Sequence, residues 1–124
     1  MIQLKNLLKK TILIPGDDDL QLFCDARSGQ LFRSTLFQVQ QAEYFINRDL
    51  TMRDYVYLNE WYEHLGIDIV EDGYKLGWSV GMCLECYWQN WIDFDHRREV
   101  TDDGQEYILI SFWEEPMEGF EEYS

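Results

Sequence analysis

The chain is short of basic residues, of cysteine and of long apolar runs. Ten Lys and Arg stand against 24 Asp and Glu, which gives a formal net charge of −14. We therefore expect no direct binding to nucleic acid or to an anionic membrane, because like charges repel. No apolar run approaches the roughly 20 residues that span a bilayer, and the first residues lack the apolar core of a secretion signal. These absences predict a soluble protein of the cytoplasm.

The few cysteines are an odd number, Cys24, Cys83 and Cys86, which fits a reducing compartment better than a disulfide framework. Cys83 and Cys86 form a C-x-x-C pair, whose thiolates could hold one zinc ion with Cys24 and His96 as further ligands. A second pair is missing, so we favour the interpretation that the cysteines fill a core. No phosphate loop and no dinucleotide fingerprint is present, and we expect no cofactor.

The acidic charge that is present is unevenly spread. Residues 1–66 hold seven basic and nine acidic residues, whereas residues 67–124 hold three basic and fifteen acidic residues, a net charge of −12. Such a surface favours a basic protein partner through electrostatic attraction. The same charge also has a simpler interpretation, since net charge first of all promotes solubility.

The segment Asn90–Met117 has the clearest structural pattern. Its two halves alternate in polarity with a period of two, as β-strands do. Asp102-Asp103-Gly104 lies between them and predicts a tight turn. The segment Ile108–Trp113 is apolar on both faces, so we expect a C-terminal β-hairpin whose second strand is central in the sheet.

The rest of the chain predicts further strands and two helices, besides a short amphipathic helix at Met1–Lys10. An N-terminal hairpin is expected from Thr11–Ile14 and Leu20–Cys24, followed by a turn at Ser28-Gly29. The first helix should be capped by Ser34 and end near Arg48, and the second should have Asn59 as N-cap and Gly66 at its end. Leu76 and Trp78–Val80 should be extended.

These elements predict an α+β fold with a small antiparallel or mixed sheet, an N-terminal hairpin, two helices and a C-terminal β-hairpin. We expect one domain over residues 1–124, of which 114–124 form an acidic, partly ordered tail. Phe120 and Tyr123 should attach this tail to the body. An exposed strand edge would also allow a homodimer.

Two patterns suggest an enzyme. Gly77-Trp78-Ser79-Val80-Gly81 matches the G-x-S-x-G of serine hydrolases, and Asp93 and His96 follow it. The chain has too few elements for the large parallel sheet that this motif requires, so we expect a strand instead. Asp93 and Asp95 share one face of a strand and could supply an acid/base pair, but carboxylates on a solvent face are the favoured interpretation.

A resemblance to other proteins indicates a biological setting for this chain. The segment Tyr55–Gly66 carries V-x-L-N-x-x-Y-x-x-L-G, and Leu76-Gly77-Trp78 and the acidic hairpin follow it. Over about residues 50–117 this resembles small uncharacterised proteins carried by phages and conjugative elements of Gram-positive bacteria. The resemblance implies a mobile genetic element in a bacterial host cell, and it implies no activity. Cys83 and Cys86 are not part of the shared pattern.

Together these features predict a non-enzymatic acidic binding protein that inhibits a basic, nucleic-acid-binding host protein by nucleic-acid mimicry, as anti-restriction and anti-CRISPR proteins do. An accessory or structural protein of the element with a zinc site, and a small hydrolase using Ser79 or Asp93 and Asp95, are the alternatives. The expected partner contacts are the carboxylates of the C-terminal half: Asp93, Asp95, Asp102, Asp103, Glu114, Glu115 and Glu118.

Overall fold

The computed structural model describes residues 19–80 and 91–120. Within them the fold is α+β, as predicted. Its strands and helices follow in the order β1 (Gln21–Asp25), β2 (Leu31–Ser34), α1 (Leu36–Arg53), β3 (Tyr55–Tyr57), α2 (Leu58–Leu65), β4 (Leu76–Ser79), β5 (Phe94–Val100), β6 (Glu106–Phe112) and β7 (Met117–Glu118). The predicted helix Met1–Lys10 and strand Thr11–Ile14, together with Tyr123, lie outside the described residues.

The strands form two sheets. The first has the order β2-β1-β6-β5 and is mixed, since β1 pairs antiparallel with β2 and parallel with β6. The second is antiparallel, with the order β3-β4-β7. The central place predicted for Ile108–Trp113 is confirmed, because β6 lies between β1 and β5.

The chain divides into two compact units. Unit 1 comprises Met1–Gln41 and His96–Ile110, and unit 2 comprises Ala42–Asp95 and Ser111–Ser124. In unit 1 the buried apolar residues include Phe23, which stacks on Phe32 at 5.7 Å between ring centroids. In unit 2 they include Trp61 and Trp78, both fully buried. None of the helices in the described parts is long and apolar enough to cross a membrane. The single-domain prediction stays a prediction.

Helix α1 is longer than predicted. Its N-cap is Thr35, whose Oγ1 accepts a hydrogen bond from the Gln38 amide at 3.0 Å, so the prediction of Ser34 as the cap is wrong. The expected end near Arg48 is also wrong, because Leu50 continues the buried stripe of this helix by a further turn. The helix ends at Arg53, where Asp54 adopts a left-handed backbone conformation with φ of 73°.

Helix α2 begins at Leu58, one residue before the predicted cap. Glu60 Oε2 accepts a hydrogen bond from the Tyr57 amide at 2.8 Å, which fixes Tyr57 at the N-cap. Asn59 is therefore not the cap. Its buried side chain instead bonds both backbone groups of Val70, each at 2.9 Å, and so holds the loop that follows the helix. Gly66 ends α2 as predicted, with φ of 79°.

The predicted C-terminal hairpin is present with shifted bounds. Its first strand begins at Phe94 rather than at Trp91, and Gly104 in the predicted turn has φ of 91°. The predicted strand Leu20–Cys24 is β1, but its described partners are β2 and β6. Strand β4 confirms the extended conformation expected around Trp78, and Phe120 is buried as predicted, next to Tyr57 at 5.3 Å between ring centroids.

Candidate protein-binding surface

Two segments of unit 2 run side by side and present both tryptophans and carboxylates. The Trp113 amide donates a hydrogen bond to the Asp93 carbonyl oxygen at 2.9 Å, and the Asp93 amide donates to Glu114 Oε1 at 3.3 Å. We refer to Trp91, Asp93, Trp113, Glu114 and Glu115 as the Trp–acid surface. One backbone–backbone hydrogen bond and one backbone–side-chain hydrogen bond therefore join the two segments.

Buried side chains fix each segment through hydrogen bonds to its backbone. The Asn47 side chain on α1 donates from Nδ2 to the Ile92 carbonyl oxygen at 3.0 Å and accepts from the Ile92 amide. On the other segment, Trp78 Nε1 donates to the Glu114 carbonyl oxygen at 2.6 Å. Since Asn47 is almost fully buried and Ile92 and Trp78 are fully buried, both segments are fixed to the interior of unit 2. Such pre-organisation lowers the entropy that binding costs.

The aromatic side chains of this surface are exposed. Trp113 is 74% exposed and Trp91 is 45% exposed, while Met117 nearby in sequence is 37% exposed. Asp93, Glu115 and Glu118, close to them in sequence, are also exposed, and Glu114 is half-buried. Large exposed aromatic residues are typical anchors of protein interfaces. The arrangement offers apolar area surrounded by negative charge.

Three further predicted contacts lie on β5 and in the turn that follows it. Asp95 is half-buried on β5. Asp102 and Asp103 are exposed in the turn between β5 and β6, which belongs to unit 1. The pKa of Asp103 lies below its ordinary value because Thr101 Oγ1 and nearby backbone amides donate hydrogen bonds to its carboxylate. That carboxylate remains ionised and exposed, and its partner-binding role stays a prediction.

The predicted zinc ligands are only partly described. Cys83 and Cys86 lie outside the described residues. Cys24 is half-buried on β1, and burial together with the Asp25 charge raises the pKa of its thiol. His96 is half-buried on β5. Across residues 19–80 and 91–120, no three His, Cys, Asp or Glu side chains are grouped to hold a metal ion.

Ser79, the predicted hydrolase nucleophile, is fully buried at the end of β4. Its Oγ makes no hydrogen bond with any residue in the described parts of the chain. A serine nucleophile needs a base within hydrogen-bond reach and access to substrate. Ser79 has neither a described base at its hydroxyl nor an exposed surface, and it fits the expected strand residue.

Sequence reasoning chose the carboxylates and left out Trp91 and Trp113 as contacts. A signal for Trp91 was present, because it alternates with Ile92 on the same face of the chain as Asp93. For Trp113 the apolar surroundings on β6 indicated burial, whereas the structure places it beyond the end of that strand and exposed. The strand end, rather than the composition, decides its exposure.

Comparison with curated proteins and with solved structures gives no significant match. A comparison with protein-family models does give one, and it covers nearly the whole chain. The chain belongs to DUF6353, a family of unknown function, whose model matches residues 3–121.

Proposed function

We propose that the chain is a non-enzymatic acidic binding protein of a mobile genetic element. In this proposal it inhibits a basic, nucleic-acid-binding host protein, of the kind that anti-restriction and anti-CRISPR inhibitors target, by occupying its nucleic-acid site. The observation that carries the proposal is the Trp–acid surface, where exposed Trp91 and Trp113 are flanked by carboxylates on two anchored segments.

The charge of unit 2 supports a basic partner. Its described residues, 42–80, 91–95 and 111–120, hold thirteen acidic and three basic residues, a formal charge of −10. Both arginines of this unit are in ion pairs, Arg48 with Asp49 at 3.2 Å and Arg53 with Glu60 at 2.6 Å. The Trp–acid surface therefore lies in a strongly negative field. Such a field accelerates association with a basic partner and repels nucleic acid.

The tryptophans supply binding affinity that the carboxylates alone do not provide. Pairs of surface charges contribute little net affinity, with a median of about 0–1 kcal/mol. A tryptophan that becomes desolvated at the centre of an interface contributes about 2 kcal/mol or more. We therefore infer that Asp93, Glu114 and Glu115 guide and orient the partner, and that Trp113 anchors it.

The experiment is a pull-down with the tagged protein from a lysate of a Gram-positive bacterium, at about 0.1 M and about 1 M salt, where the Debye length falls from roughly 10 Å to roughly 3 Å. Captured proteins are identified by mass spectrometry, and a parallel sample contains added duplex DNA. The expected result is a basic nucleic-acid-binding protein that is captured at low salt, released at high salt and displaced by DNA.

Two matched double variants locate the contact. Asp93→Asn with Glu115→Gln removes two charges from the Trp–acid surface, and Glu71→Gln with Asp72→Asn removes two from an exposed loop of the same unit. We expect the first to lose capture and the second to retain it. A partner held equally at both salt concentrations, or one indifferent to DNA, would contradict mimicry. Equal loss in both variants would show that total charge and not this surface is responsible.

A further inference from the structure

Trp113 and Asp93 lie directly opposite each other at one end of the β5–β6 pair. The Thr101 amide donates a hydrogen bond to the Gln105 carbonyl oxygen at 2.8 Å, and the Trp113 amide donates to the Asp93 carbonyl oxygen at 2.9 Å. Eight positions separate Asp93 from Thr101 and Gln105 from Trp113, so both bonds belong to one antiparallel register. Opposite residues in such a register share a face, with Cβ atoms about 5.5 Å apart. An aromatic ring and a carboxylate are therefore neighbours on one face.

This face is the exposed one. The next pair along the register, Phe94 and Phe112, has ring centroids 6.3 Å apart, and Phe112 is buried. Side chains alternate between the two faces of paired strands, so Asp93 and Trp113 lie on the opposite face, where Trp113 is 74% exposed and Asp93 is exposed. Within the described parts of the chain, no lysine or arginine stacks on Trp113, and Asp93 is in no ion pair.

Unit 2 binds its own arginines with such a combination of groups. Its two described arginines, Arg48 and Arg53, lie over aromatic rings, with Cζ 4.8 Å from the Phe45 centroid and 5.4 Å from the Tyr55 centroid. Both are also in the ion pairs with carboxylates given above. Lys75, the lysine among the described residues of this unit, has neither contact within the described parts. A ring beside a carboxylate therefore accommodates a guanidinium group in this protein.

We propose that Trp113 and Asp93 bind an arginine side chain of the basic partner and select it over lysine. The guanidinium group stacks on the indole of Trp113 and donates hydrogen bonds from its edge to the Asp93 carboxylate. Its planar shape permits both contacts at once, and it is more weakly hydrated than an ammonium group. The charge of unit 2 attracts both kinds of side chain, whereas the indole discriminates between them.

This contact deepens the proposed function and rests on it, because the arginine belongs to the nucleic-acid-binding partner. In nucleic-acid complexes arginine donates bidentately to phosphate groups, and its guanidinium plane also stacks on unpaired bases. A carboxylate accepts the same planar fork of donors. Asp93 thus takes the place of a phosphate, and Trp113 takes the place of a base.

The test is a titration of the full chain with a blocked peptide of alternating glycine and arginine, with the lysine peptide of equal length and charge as the matched ligand control. ¹H–¹⁵N correlation spectra follow the indole N–H of Trp113 and the amide of Asp93. We expect the arginine peptide to bind roughly fivefold or more tightly than the lysine peptide, because only the guanidinium combines stacking with a planar hydrogen-bonding edge.

Four variants locate this preference. Trp113→Leu should bring the two affinities within about twofold, whereas Trp113→Phe should retain part of the preference, because a phenyl ring attracts cations less than an indole does. Both should fold, since Trp113 is mostly exposed. Asp93→Asn should weaken the arginine peptide by about threefold or more and reduce the preference. Glu71→Gln removes one charge from an exposed loop and should leave the preference unchanged.

The peptides separate this contact from the proposed function. Equal affinities of the parent protein for the two peptides, or a preference that survives in Trp113→Leu, would overturn the arginine contact even if the pull-down captures a basic partner. An arginine preference that depends on Trp113 and Asp93 would support the contact. If the pull-down then captured no nucleic-acid-binding protein, the proposed function alone would fail.

Discussion

The two units of this chain differ most in how they use their arginines. The described residues of unit 1, 19–41 and 96–110, hold four basic and six acidic residues, a formal charge of −2, whereas those of unit 2 carry −10. Yet Arg33 and Arg98 of the nearly neutral unit have no described carboxylate partner, and the arginines of the acidic unit are both in internal ion pairs. The net charge of −14 therefore conceals two different surfaces.

This difference affects the recognition of a basic partner. Unit 2 presents carboxylates and exposed tryptophans whose backbone is fixed by Asn47 and Trp78, which suits a basic macromolecule. The described residues of unit 1 carry a formal charge of only −2, so this unit attracts a basic macromolecule less strongly. If the two surfaces are independent, substitutions in one should leave the other unchanged, and the following predictions test this from the largest expected effect to the smallest.

The largest effect is expected from one substitution made in both units, glycine to alanine. A Cβ at Gly77 would overlap the Val56 carbonyl oxygen and the Phe120 ring, whereas a Cβ at Gly29 meets nothing within 4 Å. Gly77→Ala should lower the free energy of unfolding by about 3 kcal/mol, because a backbone atom cannot move aside. Gly29→Ala should cost about 1–2 kcal/mol, the penalty for a left-handed backbone at φ of 77°.

Urea unfolding monitored by far-ultraviolet circular dichroism measures both values, because it reports on the secondary structure of both units, whereas all five tryptophans lie in unit 2. The difference between the variants is the informative quantity, since it isolates close packing in unit 2 from backbone strain in unit 1. Equal losses in the two variants would mean that the strand pair β3–β4 tolerates a side chain at Gly77, and the tight scaffold argued for unit 2 would be wrong.

The second effect concerns the anchor of the Trp–acid surface. Trp113→Ala should weaken binding of the captured partner by about 100-fold, as expected for loss of a central aromatic anchor. Tyr44→Ala is the matched control, because Tyr44 is an exposed aromatic residue of the same unit on α1. It should change the affinity less than twofold in isothermal titration calorimetry. A similar loss from both variants would place the partner on a different face of unit 2.

Much of the fold could be predicted from local sequence patterns. Gly66 ends α2 and Gly104 shapes the hairpin turn because each position needs a positive φ that glycine adopts without strain. The central place of β6 followed from apolar residues on both of its faces. These features depend on neighbouring residues, so a short window of sequence contains the information.

What could not be predicted depends on residues far apart in sequence. Asn59 is a residue type that favours the N-cap position. Its side chain instead makes hydrogen bonds with the backbone of Val70, eleven residues later. The parallel pairing of Phe23 with Ile108 joins distant strands. No local pattern indicates such contacts, because they are determined by packing of the whole sheet.

The third effect tests how the loop of residues 66–75 is held. Asn59→Ala removes both side-chain hydrogen bonds to Val70 and leaves a cavity beside Gly73, so we expect a loss of about 2 kcal/mol in the free energy of unfolding. Asn59→Asp keeps one acceptor and should lose the bond that Nδ2 donates to Val70. Amide hydrogen exchange should increase at Val70 in both variants and stay unchanged in unit 1. Faster exchange throughout unit 1 would show that the two units do not respond independently.

The smallest effect concerns the ion pair between Asp49 and His64 in unit 2. Burial raises the pKa of the Asp49 carboxyl. Hydrogen bonds and charge from His64, 3.0 Å away, and from Arg48 lower this pKa by more, so it lies below its ordinary value. The carboxylate therefore contributes stability that is present above its unfolded pKa of about 3.9 and is lost as the pH falls through the folded pKa.

Asp49→Asn should accordingly lower the free energy of unfolding by about 0.5–1 kcal/mol at pH 7, and the difference from the parent protein should shrink as the pH falls below about 3.9 and through the folded pKa. Thermal unfolding at pH 7, 5 and 3 follows this window, with Glu71→Gln as an exposed control that should show no such trend.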